Sequence, residues 1–179
     1  MATLVLTVIG DDRAGLVSAL SAAISDHRGS WQRSEMARLA GKFAGVVLVD
    51  VPDSQVVALE AALVDLSAAG LTVGVAPAQP DSRSEDAAGV DHWHLHLVGQ
   101  DRPGILAEVS AALAGHGVGI DELATSVTEA PMAGGLLFEV EARLSVPADL
   151  DAAAVSGPLE RLADELMVDL TMGPGADRT

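Results

Sequence analysis

Three histidines, His92, His94 and His96, alternate along an otherwise apolar run. In an extended strand alternate side chains share a face, so the three imidazoles are placed to meet a metal ion or to pair with acids. A second run sets Glu139, Glu141 and Arg143 on the opposite alternation from Phe138, Val140, Ala142 and Leu144, as a neighbouring strand with carboxylates on the histidine face would. An open sheet gives poor tetrahedral convergence, so weak imidazole–carboxylate pairs are expected, with no metal and no cofactor. Gly115-His-Gly-Val-Gly119 follows a helix pattern and precedes a strand pattern, the reverse of the order that phosphate-binding glycines need. No Gly-x-Ser-x-Gly elbow accompanies the available Ser, His and Asp residues, and no catalytic residue is expected.

Two further segments carry a different chemistry. Asp12-Arg-Ala-Gly15 and Asp101-Arg-Pro-Gly104 each lie between a strand pattern and a helix pattern. A helix start has unpaired N–H groups and a favourable dipole for an anion, while Gly15 and Gly104 allow a close backbone approach. Alternatively, Asp12 and Asp101 simply cap their helices and the glycines only permit the turn.

The elements that hold these residues repeat. Displacing the chain by 89 residues sets Val8-Ile-Gly-Asp-Asp-Arg-Ala-Gly15 on Leu97-Val-Gly-Gln-Asp-Arg-Pro-Gly104 and His27 on His116; farther on, Phe43 meets Phe138 and Val51-Pro52 meets Val146-Pro147. A period near 90 suits a whole small domain. The expected organisation is a first domain at 1–77, a linker at 78–91 around the polar Gln79–Asp86 stretch, a second domain at 92–174 and a tail at 175–179.

Within each copy a strand leads to a helix striped by Leu16, Leu20, Ala23 and Ile24, or by Ile105, Val109, Ala112 and Leu113. A hairpin follows, turning at Gly41 in the first copy and lengthened by Ala130–Gly134 in the second. A second helix is expected to start at Asp53 or Ser54 as cap, and its counterpart near Ser156-Gly-Pro158, with Pro158 in the first turn. Closing strands carry Leu71, Val73 and Val75, or Val168, Leu170 and Met172. Each copy is therefore βαββαβ, an α+β ferredoxin-like sandwich with antiparallel strand order 4-1-3-2 and both helices on one face.

Composition limits the partners. A formal charge of −16 with only ten Lys and Arg argues against direct nucleic-acid binding. Five of those ten, Arg13, Arg28, Arg33, Arg38 and Lys42, lie in the first copy, either as a positive potential that attracts an acidic ligand or docks on an acidic surface, or as a solvated basic face. The chain has no cysteine, the first apolar run lacks the basic flank of a signal peptide, and no stretch approaches a membrane span; a cytoplasmic protein is expected.

Asp101-Arg-Pro-Gly-Ile-Leu106 and Asp12-Arg-Ala-Gly-Leu-Val17 resemble the start of ACT domains, βαββαβ modules that bind amino acids, and the resemblance covers both copies. Ala37–Ala44 and Ala130–Phe138 are similar to the tandem family of glycine cleavage system transcriptional repressors. The resemblance implies a non-enzymatic regulator that binds an amino acid or a similar small metabolite and controls a partner protein, without a DNA-binding domain of its own. It implies ligand contacts at Asp12, Arg13, Ala14, Gly15, Leu16 and Ser30, and at Asp101, Arg102, Pro103, Gly104, Ile105 and Gly119. Amino-acid-binding ACT domains often carry Asn just before the second strand; Ser30 and Gly119 occupy those positions here. The other class of function is a ligand-independent interaction adaptor built from the same folds.

The copies should differ on their open sheet faces. Val5, Val46 and Leu48 give the first an apolar face suited to burial in a homo-oligomer or against a regulated protein, whereas His94, Glu141 and Arg143 suit the second to water. Val46→Lys with Leu48→Lys is expected to lower the mass measured by light scattering or to abolish partner binding. If mass, stability and partner binding all match the parent, that face is not an interface.

Overall fold

Apolar alternation at the start of the chain builds strand β1 (Ala2–Asp11), which buries Leu4, Leu6 and Val8 and turns the intervening residues away from the core. The computed structural model describes residues 1–79, 89–130, 135–150 and 152–174. It divides into two compact units, Met1–Pro80 and Asp81–Thr179. In the first, β1 is followed by α1 (Leu16–Asp26), β2 (Ser30–Leu39), β3 (Lys42–Val51), α2 (Val56–Asp65) and β4 (Leu71–Pro77). The strands pair antiparallel in the order β2-β3-β1-β4, the expected arrangement. Leu16, Leu20 and Ile24 of α1 and Leu59 and Leu63 of α2 complete a core with Leu6, Val47, Val49 and Leu71. Ala40 and Gly41 both adopt positive φ, 49° and 76°, giving β2 and β3 the two-residue turn that matches strand twist.

The second unit repeats the arrangement: β5 (Val90–Gln100), α3 (Ile105–Gly115), β6 (Gly119–Glu129), β7 (Leu136–Pro147), α4 (Ala152–Leu166) and β8 (Val168–Pro174) in the order β6-β7-β5-β8. Even the irregularities correspond. β2 shifts register between Trp31 and Arg33, and β6 between Ile120 and Glu122. β5 begins at Val90, two residues inside the expected linker; most of that linker, the hairpin extension at 131–134 and the tail at 175–179 lie outside the described residues.

Two expectations about helix starts need correction. α4 begins at Ala152, so Pro158 lies in the helix interior instead of its first turn. Val155, Leu159, Ala163 and Leu166 are all buried on one stripe, and that burial sustains the helix across a residue lacking an N–H. Neither Asp53 nor Ser54 caps α2: residues Asp53–Gln55 form a 3₁₀ turn, no side chain caps it, and Asp53 accepts instead from the N-terminal ammonium at 2.8 Å.

The open faces differ in residue type as expected. In the first sheet Val5 lies between Leu48 and Ala76, Thr7 between Val46 and Gly74, and Ile9 between Ala44 and Thr72. In the second, His94 lies between Arg143 and Gly173, His96 between Glu141 and Thr171, and Val98 between Glu139 and Asp169.

Candidate ligand-binding site

The two Asp-Arg-x-Gly turns adopt the same conformation. Gly15 has φ 95° and ψ −4° and Gly104 φ 100° and ψ −15°, each as the N-cap of its helix, with no side-chain cap. The next residues, Leu16 and Ile105, are buried. Chain reversal from strand to core-facing helix therefore requires a left-handed residue, which costs a side-chain-bearing residue about 1–2 kcal/mol. Gly15 and Gly104 carbonyls accept the first intrahelical bonds, from Ala19 and Glu108, both at 2.9 Å. A helix of this kind has amides in its first turn without intrahelical partners, and the absence of a capping side chain keeps that end open to an external acceptor.

The aspartates therefore do not cap. The Asp12 N–H donates to the Gly41 carbonyl at 2.9 Å and its carboxylate pairs with Arg38 Nε at 3.1 Å, while the Asp101 N–H donates to the Leu136 carbonyl at 2.8 Å. Both turns are thus tied to the hairpin that follows. Leu16 and Ile105 direct their side chains into the core, so only their backbone can face a ligand.

Ser30 and Gly119 are not part of the same constellation within a unit. β3 starts opposite Asp11, beside the turn, and runs to Asp50, which lies opposite Ser30. That run of β3 is about 26 Å at ~3.3 Å per residue. Gly119, opposite Ser145, is equally at the far end from Asp101.

The copies differ electrostatically at the turn. Arg102 pairs with Glu108 of α3 at 3.3 Å, whereas the position of α1 equivalent to Glu108 is Ala19. Arg13 instead extends over the Gly70 turn. Most of the first copy's other basic residues are paired: Arg33 with Glu35 at 3.0 Å, Arg38 with Asp12 and Lys42 with Asp11. The Lys42 hydrogen bond and charge hold the Asp11 carboxyl below its ordinary range. Arg33, Arg38 and Lys42 are thus paired and exposed, with Arg38 held at the turn by Asp12, while the Arg13 guanidinium lies over the Gly70 turn.

On the open face of the second sheet, His96 Nε2 lies 2.9 Å from Glu139 Oε1, and His92 Nδ1 lies 3.4 Å from Asp121 Oδ2. Arg143 pairs with Glu122 at 2.8 Å. Asp121, Glu122 and Ser126 escape sequence reasoning because the β6 register shift, which has no residue-type signature, decides which of them reach this face. The histidines and glutamates do share the face, as their alternation implies.

Comparison with known families finds a match to the ACT domain over residues 2–75 and again over 95–173. Among solved structures, an unknown protein from Galdieria sulphuraria is 31% identical, with coverage of 98% of this chain and 99% of that one and a TM-score of 0.81. A candidate glycine cleavage system transcriptional repressor is 16% identical, with 96% coverage of both chains and a TM-score of 0.73, a likeness of fold. No curated protein matches the chain. No helix among the described residues is long and apolar enough to cross a membrane.

The Glu139 carboxyl titrates below its ordinary range because His96 hydrogen-bonds to it, with a smaller contribution from Ser126. A folded value below the unfolded one means that this group favours the folded state above its unfolded pKa, and that the contribution is lost as pH falls through the folded value. In His96→Ala, a carbon-detected NMR titration should show the Glu139 midpoint moving upward. An unmoved midpoint would show that His96 is not the cause.

Proposed function

The chain belongs to the ACT domain family, and from that membership we propose that it is a non-enzymatic regulatory protein whose Asp-Arg-x-Gly turns bind the carboxylate of an amino acid or a similar small metabolite. The observation that carries this reading is the uncapped helix start behind a left-handed glycine, present in both units with nearly the same dihedral angles. An amide donating to a charged carboxylate contributes about 1.5–3 kcal/mol, and the helix dipole adds about 0.3–1 kcal/mol. The first unit is the stronger site, because Arg13 has no carboxylate at the α1 position that Glu108 fills beside Arg102.

Occupation of the turn is read by a partner protein, and control of transcription in amino-acid metabolism, glycine included, is the process that the repressor-like fold favours. With a formal charge of −16, the chain acts on nucleic acid through that partner and not by direct contact. The apolar open face of the first sheet supports a second reading, a ligand-independent adaptor, since Val46 and Ile9 are exposed there.

Calorimetry of the full chain against each standard amino acid separates the two. Binding of at least one is expected, and absence of heat with all of them favours the adaptor. A β-carbon on Gly15 would meet nothing within 4 Å, so it projects into the space a ligand must enter, and φ 95° strains it. Gly15→Ala is expected to weaken binding about tenfold, or ~1.4 kcal/mol. Arg13→Ala, which leaves the turn's backbone conformation untouched, should weaken it as well. Undiminished binding by both folded variants would exclude the turn as the site.

A further inference from the structure

The open face of the second sheet brings together ligand atoms that the turns do not use. His96, Glu139 and Glu141 each present one, and all three lie within 4.8 Å of one another. Register produces this. His96 lies directly opposite Glu141 across the β5–β7 pair, and Glu139 lies opposite Val98, one step diagonally from His96. His96 Nε2 and Glu139 Oε1 are already 2.9 Å apart.

A sheet face offers ligands from one hemisphere. That disfavours a closed tetrahedral site, which needs ligands all round, but suits an octahedral ion that takes three protein ligands on one side and water on the other. Metal–ligand bonds of about 2.0–2.2 Å at right angles place neighbouring ligand atoms about 3 Å apart, as His96 and Glu139 are. Glu141 is exposed and can rotate inward. One imidazole with two carboxylates is a donor set for divalent first-row ions, and two negative charges balance the dication.

We propose that His96, Glu139 and Glu141 form a surface site for a divalent first-row transition cation, held on one face with water completing its shell. The ring proton of His96 then sits on Nδ1, leaving the Nε2 lone pair for the ion. The site shares no residue with the turns, so its failure leaves the amino-acid reading untouched, and the reverse holds too.

The test is titration of tag-free full-length protein with cobalt(II) chloride, followed by calorimetry and visible absorption. One ion per chain is expected, with the weak absorption of six-coordinate cobalt. His96→Ala and Glu141→Gln should each weaken binding at least about tenfold, the loss typical of disturbing a metal site. His94→Ala and His116→Ala should bind like the parent. Thermal unfolding in EDTA checks the fold of each variant, and the near-isosteric Glu141→Gln on an exposed side chain keeps the test decisive if His96→Ala does not fold. Absence of binding, parent-like binding by Glu141→Gln, dependence on His94, or the intense absorption of four-coordinate cobalt would each overturn the proposal.

Discussion

Leu16 and Ile105 must enter the core after turns of only four residues, Asp12–Gly15 and Asp101–Gly104, in which the chain leaves a strand and reverses direction. Within so short a turn the preceding residue has to be left-handed, and Gly15 and Gly104 adopt φ near 95–100°. The remaining features of the turn follow from that constraint. A glycine in the N-cap position offers no side-chain oxygen, so the first amides of α1 and α3 have no cap. The aspartates three residues earlier are drawn instead to the following hairpin, through Gly41 and Leu136. Covering the hydrophobic core thus leaves an uncapped helix end as a by-product, the feature on which the proposed carboxylate site rests.

Duplication preserved this constraint and the core around it while the surfaces diverged. Leu6, Leu20 and Val47 in one unit correspond to Leu95, Val109 and Ala142 in the other, all buried. At the turn, however, Glu108 engages Arg102 where Ala19 cannot engage Arg13. On the sheets, Val46 and Leu48 correspond to Glu141 and Arg143. Two copies of one fold therefore present a turn with Arg13 beside an alanine-bearing helix start and an apolar sheet face in one unit, and an Arg102–Glu108 pair with an acidic, histidine-bearing sheet face in the other.

Periodicity and the internal repeat made the architecture legible. Apolar stripes with steps of two and of three to four residues locate the strands and helices, the match of one copy to the other marks the two domains, and two right-handed crossovers with a hairpin fix the strand order. Helix starts were less legible. Ser156-Gly-Pro158 looks like a first turn by residue type, but the buried positions of Val155 and Leu159 extend α4 back to Ala152, and only packing reveals that. At the candidate site, the motif points to the glycines and arginines, whereas the fate of Asp12 depends on a hairpin carbonyl some thirty residues away. The strand order itself separates Ser30 from the turn, a consequence hidden when the residues are considered by type alone. Asp121 and Glu122 join the histidine face through a register shift that leaves no mark in the sequence.

In the proposed function the open amides at the start of α1 hold a ligand carboxylate. Amide proton–nitrogen NMR spectra of the full chain, recorded while each standard amino acid is added, test it most directly. Any amino acid that binds is expected to shift the amides of Leu16, Val17 and Ser18 most, with smaller shifts at the equivalent positions Ile105, Leu106 and Ala107. Saturable binding that shifts other regions and leaves the amides of residues 16–18 unmoved would contradict it.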